Sequence, residues 1–278
     1  MTQAKAPTEI IEGRPNVPQQ LRTPWELFLS EMIGTGLLLW GGLSLVIFMF
    51  GVGSPIAELL PNMTARRAIS GFLFGSIGAL IAVSPVGDVS GAHINPVVSL
   101  GFMLMGKFKP RVAFGYVVAQ LTGALLGSLP LLAWGKMGRS IDFGASLPGK
   151  GYSTWIVLLG EVVTTFGLIA SLCVFLATRE LRRFTPAMIP FLYAIMVPLE
   201  AGISGTSTNP ARSFGPAIAS GNFDGWWIYW VGPFLGTVSA IFACSFLASR
   251  IEVAKIYHFD SDRYGVFHRM SRSAARRG

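Results

Sequence analysis

Ser90-Gly91-Ala92-His93-Ile94-Asn95-Pro96-Val97-Val98-Ser99 is answered further along the chain by Ser204-Gly205-Thr206-Ser207-Thr208-Asn209-Pro210-Ala211-Arg212-Ser213. In each string a Ser-Gly pair stands five and four positions ahead of the asparagine of an Asn-Pro pair, with a serine four positions and a glycine six positions after it (Gly101, Gly215). Every matched position lies 114 residues from its counterpart. The chain therefore reads as two related halves, about residues 25–135 and 153–249, each carrying one Asn-Pro helix start. Inverted repeats of this kind in membrane proteins set the working site where the halves meet.

The rest of the chain fits a bilayer. Of its 278 residues 51% are hydrophobic and 13% charged, with a mean hydropathy of +0.55; soluble domains carry about 25% charge. The apolar residues gather into six blocks, about 25–50, 66–87, 110–134, 153–178, 186–203 and 226–249. Each is near or above the roughly 20 residues that cross a bilayer as a helix. Six membrane helices in a single channel domain over 25–249 is the expectation, flanked by a polar tail over 1–24 and a basic tail over 250–278.

Basic residues give the orientation. If both termini are cytoplasmic, that side holds Lys107, Lys109, Arg111, Arg179, Arg182 and Arg183 together with the basic residues of the two tails, 16 of the 22 Lys and Arg. This positive-inside bias predicts a multi-pass protein of the cell membrane with both termini in the cytoplasm. The net charge of +8 then reflects topology, and no nucleic acid is implied. The tail after Arg250 reads as solvated, with Ser271 and Ser273 as exposed serines. Cys173 and Cys244 match no disulfide or metal spacing, and Asn62-Met63-Thr64 is a glycosylation sequon on the outer face.

After each Asn-Pro comes a short apolar stretch, Val97 to Met105 and Ala211 to Ser220. At about 1.5 Å per residue each covers only half a bilayer. Asparagine caps a helix through its side-chain oxygen, and proline fits the first helical position because its missing N–H had no partner there. Each string thus starts a half-helix and leaves irregular backbone ahead of it, which is tolerable at membrane depth only inside protein or against a water-filled cavity. Two half-helices entering from opposite faces would meet at the midplane, their asparagine NH₂ groups and positive ends facing the passage. Such a passage suits neutral molecules and repels cations.

These residues resemble the aquaporin (major intrinsic protein) family, over nearly all of 25–249. The resemblance rests on Asn209-Pro210-Ala211-Arg212-Ser213-Phe214-Gly215-Pro216 for the second signature loop and on Ser90 through Pro96 for the first. It implies an all-α membrane fold of six helices plus two re-entrant half-helices, one pore per subunit and a homotetramer. It also implies Arg212 at the narrowest point. Around it the constriction would comprise Thr206, Val197 (where the family's water channels usually carry histidine) and either Phe74 or Gly75 on the second helix. Loss of that histidine predicts a wider, more apolar constriction, open to small neutral solutes such as glycerol, ammonia or hydrogen peroxide. Ser213, Ala217 and the pair Tyr229-Trp230 look like the water-channel pattern instead.

Val97 replaces the family's usual alanine and predicts tight packing where the half-helix ends meet. Glu31 and Glu161 hold corresponding places in the two halves and are read as supports, accepting backbone N–H groups of the loops. His93 is read as a packed loop histidine, and Glu200 and Asp88 are placed at the two pore mouths. Paired glycines, Gly34 with Gly36 and Gly123 with Gly127, suit close helix crossings. A proton-coupled transporter would instead use Glu31 or Glu161 as a relay, and a non-conducting scaffold is the third class. No nucleophile–base pair, phosphate loop, cofactor motif or metal spacing occurs, so an enzyme is not expected.

Overall fold

The computed structural model describes residues 24–252 and 254–259. Its fold is all-helical and built for a membrane. The first two of its long apolar helices are α1 (Trp25–Phe50) and α2 (Met63–Val83). A short α3 (Pro85–Ser90) precedes the half-helix α4 (Pro96–Leu104), and α5 (Pro110–Ser128) closes the first half. The second half repeats the plan with α6 (Thr154–Ala177), α7 (Thr185–Glu200), the half-helix α8 (Pro210–Ser220) and α9 (Ile228–Ala243). Large apolar side chains such as Leu29, Leu80, Phe114, Val163, Phe191 and Phe242 stand exposed around the outside, a surface suited to lipid rather than water.

Small residues set the helix crossings. Gly123 and Gly127 of α5 lie against the backbone of Met32 and Gly36 in α1, so close that no Cβ can be accommodated without a backbone shift. Gly34 faces elsewhere, against Ile94 and Ile81. Without a hydrophobic force between helices in lipid, such contacts rely on backbone proximity. Gly127→Val should therefore cost about 3 kcal/mol or more, since the clash is with backbone and no side chain can give way. A melting temperature in detergent equal to that of the native protein would refute this.

A second glycine set positions the centre of the molecule. Gly71 and Gly75 press α2 onto Tyr193 and Pro190 of α7. Opposite them α1 passes through a π-helical turn, Leu38–Gly42, and Gly42 leaves the space that the ring of Phe74 fills. Such turns cluster at functional sites because they displace one side of the helix.

The loop between α5 and α6 folds back over the second re-entrant segment, where Gly149 N–H donates to the Ile203 carbonyl at 2.8 Å. Asn62 caps α2, its Oδ1 accepting from Ala65 N–H. Cys173 is buried and Cys244 half-buried, both as free thiols.

The start of α1 and the segment after α9 lie on one face, here called the terminal face: Phe28 packs on Tyr116, whose hydroxyl donates to the Ser90 carbonyl, and Ile256 reaches the adjacent Gly91. One expectation fails there. The solvated tail was placed from residue 250 onward, yet Ile251, Ala254, Lys255 and Ile256 are buried. Ile251, Ala254 and Ile256 supply the apolar contacts that a wholly polar tail would lack, so the folded unit extends at least to residue 259. Ser271, Ser273, His268 and residues 1–23 lie outside the described residues.

Candidate functional site

The two repeated strings come together at the centre as a symmetric pair. In each, three residues adopt left-handed backbone at matched positions: Gly91, Ala92 and Ile94 in the first, Gly205, Thr206 and Thr208 in the second. Glycine accepts this conformation freely, but for a β-branched residue such as Ile94 or Thr208 it costs about 1–3 kcal/mol. Something must hold the loops there, and two buried carboxylates do. Glu31 accepts the N–H groups of His93 (2.9 Å) and Ile94 (2.7 Å), and Glu161 those of Ser207 (2.8 Å) and Thr208 (2.9 Å). Gln120 Nε2 and Ser204 Oγ add further donors to Glu31 and Glu161 respectively. Tyr116 and Tyr229 complete the parallel, each hydroxyl donating to the carbonyl of the loop's opening serine, Ser90 or Ser204.

The helix starts are built as their chemistry requires. Asn95 Oδ1 accepts from Val97 N–H, and Asn209 Oδ1 accepts from Ala211 and Arg212 N–H. Pro96 and Pro210 occupy the first helical positions. Each asparagine then reaches across: Asn95 Nδ2 donates to the Thr208 carbonyl and Asn209 Nδ2 to the Ile94 carbonyl, both at 3.0 Å. One N–H of each amide is thus committed to a reciprocal clasp, and the second remains for the cavity that both residues line. Val97 and Ala211 are both buried at this junction. The larger Val97 leaves the clasp symmetric, so its extra methyls do not separate the half-helix ends.

Two cavities meet here. The one toward the face opposite the termini has a volume of about 430 Å³, and Thr206, Arg212, Val197, Phe74, Arg67 and Met63 are among its lining. The one toward the terminal face is about 60 Å³, lined by Asn95, Asn209, His93, Leu172 and Ile256 among others. Phe74 and Tyr193 line both, and so mark the neck. Their rings lie 6.4 Å apart, and the Arg212 guanidinium sits 5.9 Å from the Phe74 ring centre. Arg212 also donates to Ser146 Oγ in the covering loop.

Of the two alternatives on the second helix, Phe74 shares the cavity of Val197, Thr206 and Arg212. Gly75 lies on the other side of the neck and serves the α2–α7 contact. Tyr193 was missed in the sequence. It stands one helical turn before Val197, on the same face of α7, and its hydroxyl pairs with Thr208 Oγ1 at 2.6 Å. That i−4 relation to Val197 was the available signal.

His93 is buried and stacked on Phe102 at 4.8 Å. Its Nε2 lies 2.9 Å from the Ala254 carbonyl and must donate to it, which leaves Nδ1 to pair with Ser99 Oγ at 3.0 Å. Glu200 is not at a mouth. It is buried against Gly160 of α6, with Oε2 accepting from Thr206 Oγ1 at 2.6 Å. The close approach of α7 to α6 at Gly160 holds the side chain inward, where Thr206 supplies a donor. Asp88 does lie at the terminal-face end, beneath residues 255–258.

Comparison with known proteins agrees with this geometry. The model of the family described as major intrinsic protein matches residues 19–244. The chain belongs to the major intrinsic protein family. Similar proteins include the probable aquaporin TIP2-2 of Arabidopsis thaliana, 33% identical over 217 residues, which span 75% of this chain and 82% of that one. Aquaporin AqpM of Methanothermobacter marburgensis is 33% identical over 244 residues, spanning 80% of this chain and 96% of its own. Among solved structures, the aquaglyceroporin from Plasmodium falciparum superposes with a TM-score of 0.64 at 21% identity, covering 81% of this chain and 96% of that one, which shows the shared fold. This major intrinsic protein is therefore a membrane channel protein with an aquaporin-like fold.

Proposed function

We propose that the protein is a passive channel that conducts water in single file and excludes protons and ions. The observation that carries this reading is the reciprocal asparagine clasp, which leaves one N–H donor of each amide, beside a helix N-terminus, facing the cavity. Water passing there accepts hydrogen bonds at the centre of its path, while a cation meets two positive helix ends and then the Arg212 guanidinium. Asn95, Pro96, Val97, Asn209, Pro210 and Ala211 form the pore centre on this reading. Phe74, Val197, Thr206 and Arg212 form the constriction, with Tyr193 as an aromatic step beneath it. Glu31, Glu161 and His93 support the loops. The terminal face is cytoplasmic in this assignment, and the functional unit is a homotetramer, with no metal or cofactor required. The names of the similar proteins, aquaporins from a plant and an archaeon, favour water as the permeant.

One observation supports a second permeant class, small neutral solutes. Val197 offers no donor and less bulk than histidine, so the constriction beside Arg212 and Phe74 is wider and more apolar than a histidine there would make it. Light scattering of reconstituted vesicles after osmotic jumps separates the two. Rapid shrinkage in sucrose with slow glycerol re-entry supports water selectivity, and rapid re-entry supports solute passage. Any glycerol flux should fall at least fivefold in Val197→His while water flux stays within twofold. A parallel fall in both would refute a constriction set by residue 197.

A further inference from the structure

The two cavities differ about sevenfold in volume, and the smaller one is lined in part from outside the two repeats. The inner cavity is bordered at the terminal face by a segment that neither half-repeat contains: residues 254–259 lie under the first re-entrant loop. Ile256 lines the cavity alongside Asn95 and Asn209, and it is 3% exposed.

The seat is specific. Ile256 N–H donates to the Gly91 carbonyl at 3.0 Å, and the Ala254 carbonyl accepts from His93 Nε2 at 2.9 Å. Lys255 Nζ donates to the Asp88 carbonyl at 2.9 Å, its stem lying so close under Gly91 that a Cβ there would collide with it. His258 Nδ1 lies 3.8 Å from Asp88 Oδ1. At the segment's root, Arg182 pairs with Glu252 at 3.1 Å, donates to the Arg250 carbonyl and covers the Phe259 ring. Yet none of its described residues is in a regular helix, and what seats it is a few hydrogen bonds, worth about 1 kcal/mol net apiece, beside the burial of Ala254 and Ile256. A short strap without a helical hydrogen-bond ladder opens at lower cost than the helices around it.

We propose that residues 254–259 are a gate on the pore. Seated as here, the segment sets the Ile256 side chain in the inner half of the conduction path and limits flux; when it lifts from the Gly91–His93 loop, flux rises. This rests on the channel reading above.

The test is osmotic water flux in vesicles containing the full chain, normalised to the amount of folded protein. Ile256→Gly, which empties the side chain's place, should raise flux at least threefold. Lys255→Met, which keeps the stem beneath Gly91 and deletes the ammonium held by Asp88, should also raise flux, by about twofold. A gain cannot come from misfolding. An unchanged or lower flux in Ile256→Gly overturns the proposal, and a rise there without one in Lys255→Met overturns the gate by making Ile256 a fixed lining.

A second measurement covers poor folding of either variant. In Ile256→Cys, a small methanethiosulfonate reagent should block flux and dithiothreitol should restore it in the same vesicles, with native protein as the control for Cys173 and Cys244. Flux indifferent to the reagent, once labelling is shown by mass spectrometry, overturns the proposal. Native protein that conducts water while the variants behave alike removes the gate alone. If neither native protein nor variants exceed protein-free vesicles, the channel reading falls too.

Discussion

Glu161→Ala should unfold the second re-entrant loop and, with it, the channel. The carboxylate accepts Ser207 N–H, Thr208 N–H and Ser204 Oγ–H inside the protein. A buried donor left without an acceptor costs about 1–3 kcal/mol, so three orphaned donors imply a loss of at least ~3 kcal/mol. The left-handed strain at Thr206 and Thr208 is then opposed only by side-chain contacts to Glu200, Tyr193 and Asn95. A lost contact on a lipid-facing residue would cost a fraction of this. The expected result is a large drop in melting temperature in detergent and little protein reaching the vesicles, with Glu31→Ala behaving alike because Glu31 holds His93 and Ile94 in the same manner.

Glu161→Gln separates support from proton relay. It keeps one acceptor oxygen and places an NH₂ against the other N–H group, so it should be partly destabilised yet conduct normally per folded channel. A relay would lose pH-gradient dependence in this variant. Native flux that tracks a pH gradient, abolished in Glu161→Gln, would replace the channel reading by a coupled transporter.

The ease with which the site could be read varied with how local its determinants are. The half-helices were legible because asparagine capping and proline at the first position are one-residue signals, repeated 114 positions apart. The support glutamates were legible because a carboxylate in an apolar helix is conspicuous. The choice between Phe74 and Gly75 could not be counted out from Asn95. The chain between them breaks at Ser84 and inserts the separate short helix α3, which alters the register between α2 and the loop. The strap at 254–259 was read as tail because Lys255, His258 and the nearby Glu252 interrupt its few apolar residues. Its burial depends on a surface, the underside of the Gly91–His93 loop, that exists only after both halves have folded. Glu200 was misplaced for a related reason: its partner Thr206 is near in sequence, but the positive-φ turn that aims the hydroxyl at it is a product of the Glu161 network.

Arg212→Met should admit monovalent cations while sparing water flux. The side chain is 8% exposed, braced by Ser146 Oγ and the Phe74 ring, and it lines the cavity just where Phe74 narrows the path. A guanidinium does not lose its charge at any relevant pH. At about 5 Å and an effective dielectric constant near 20, its repulsion of a passing monovalent cation is ~3 kcal/mol, about a hundredfold in permeability. The two helix ends at Asn95 and Asn209 supply roughly half a charge each, so together they could rival it. The variant decides which dominates. Sodium and proton leak, read from pH-sensitive and voltage-sensitive dyes in the vesicles, should rise by one to two orders of magnitude if the arginine carries the exclusion. Arg212→Lys, which keeps the charge but loses the planar fork, should leak far less than Arg212→Met. If Arg212→Met remains as tight to sodium as native protein while conducting water, the barrier belongs to the facing helix ends, and the arginine's task is to hold Ser146 and Phe74 at the neck.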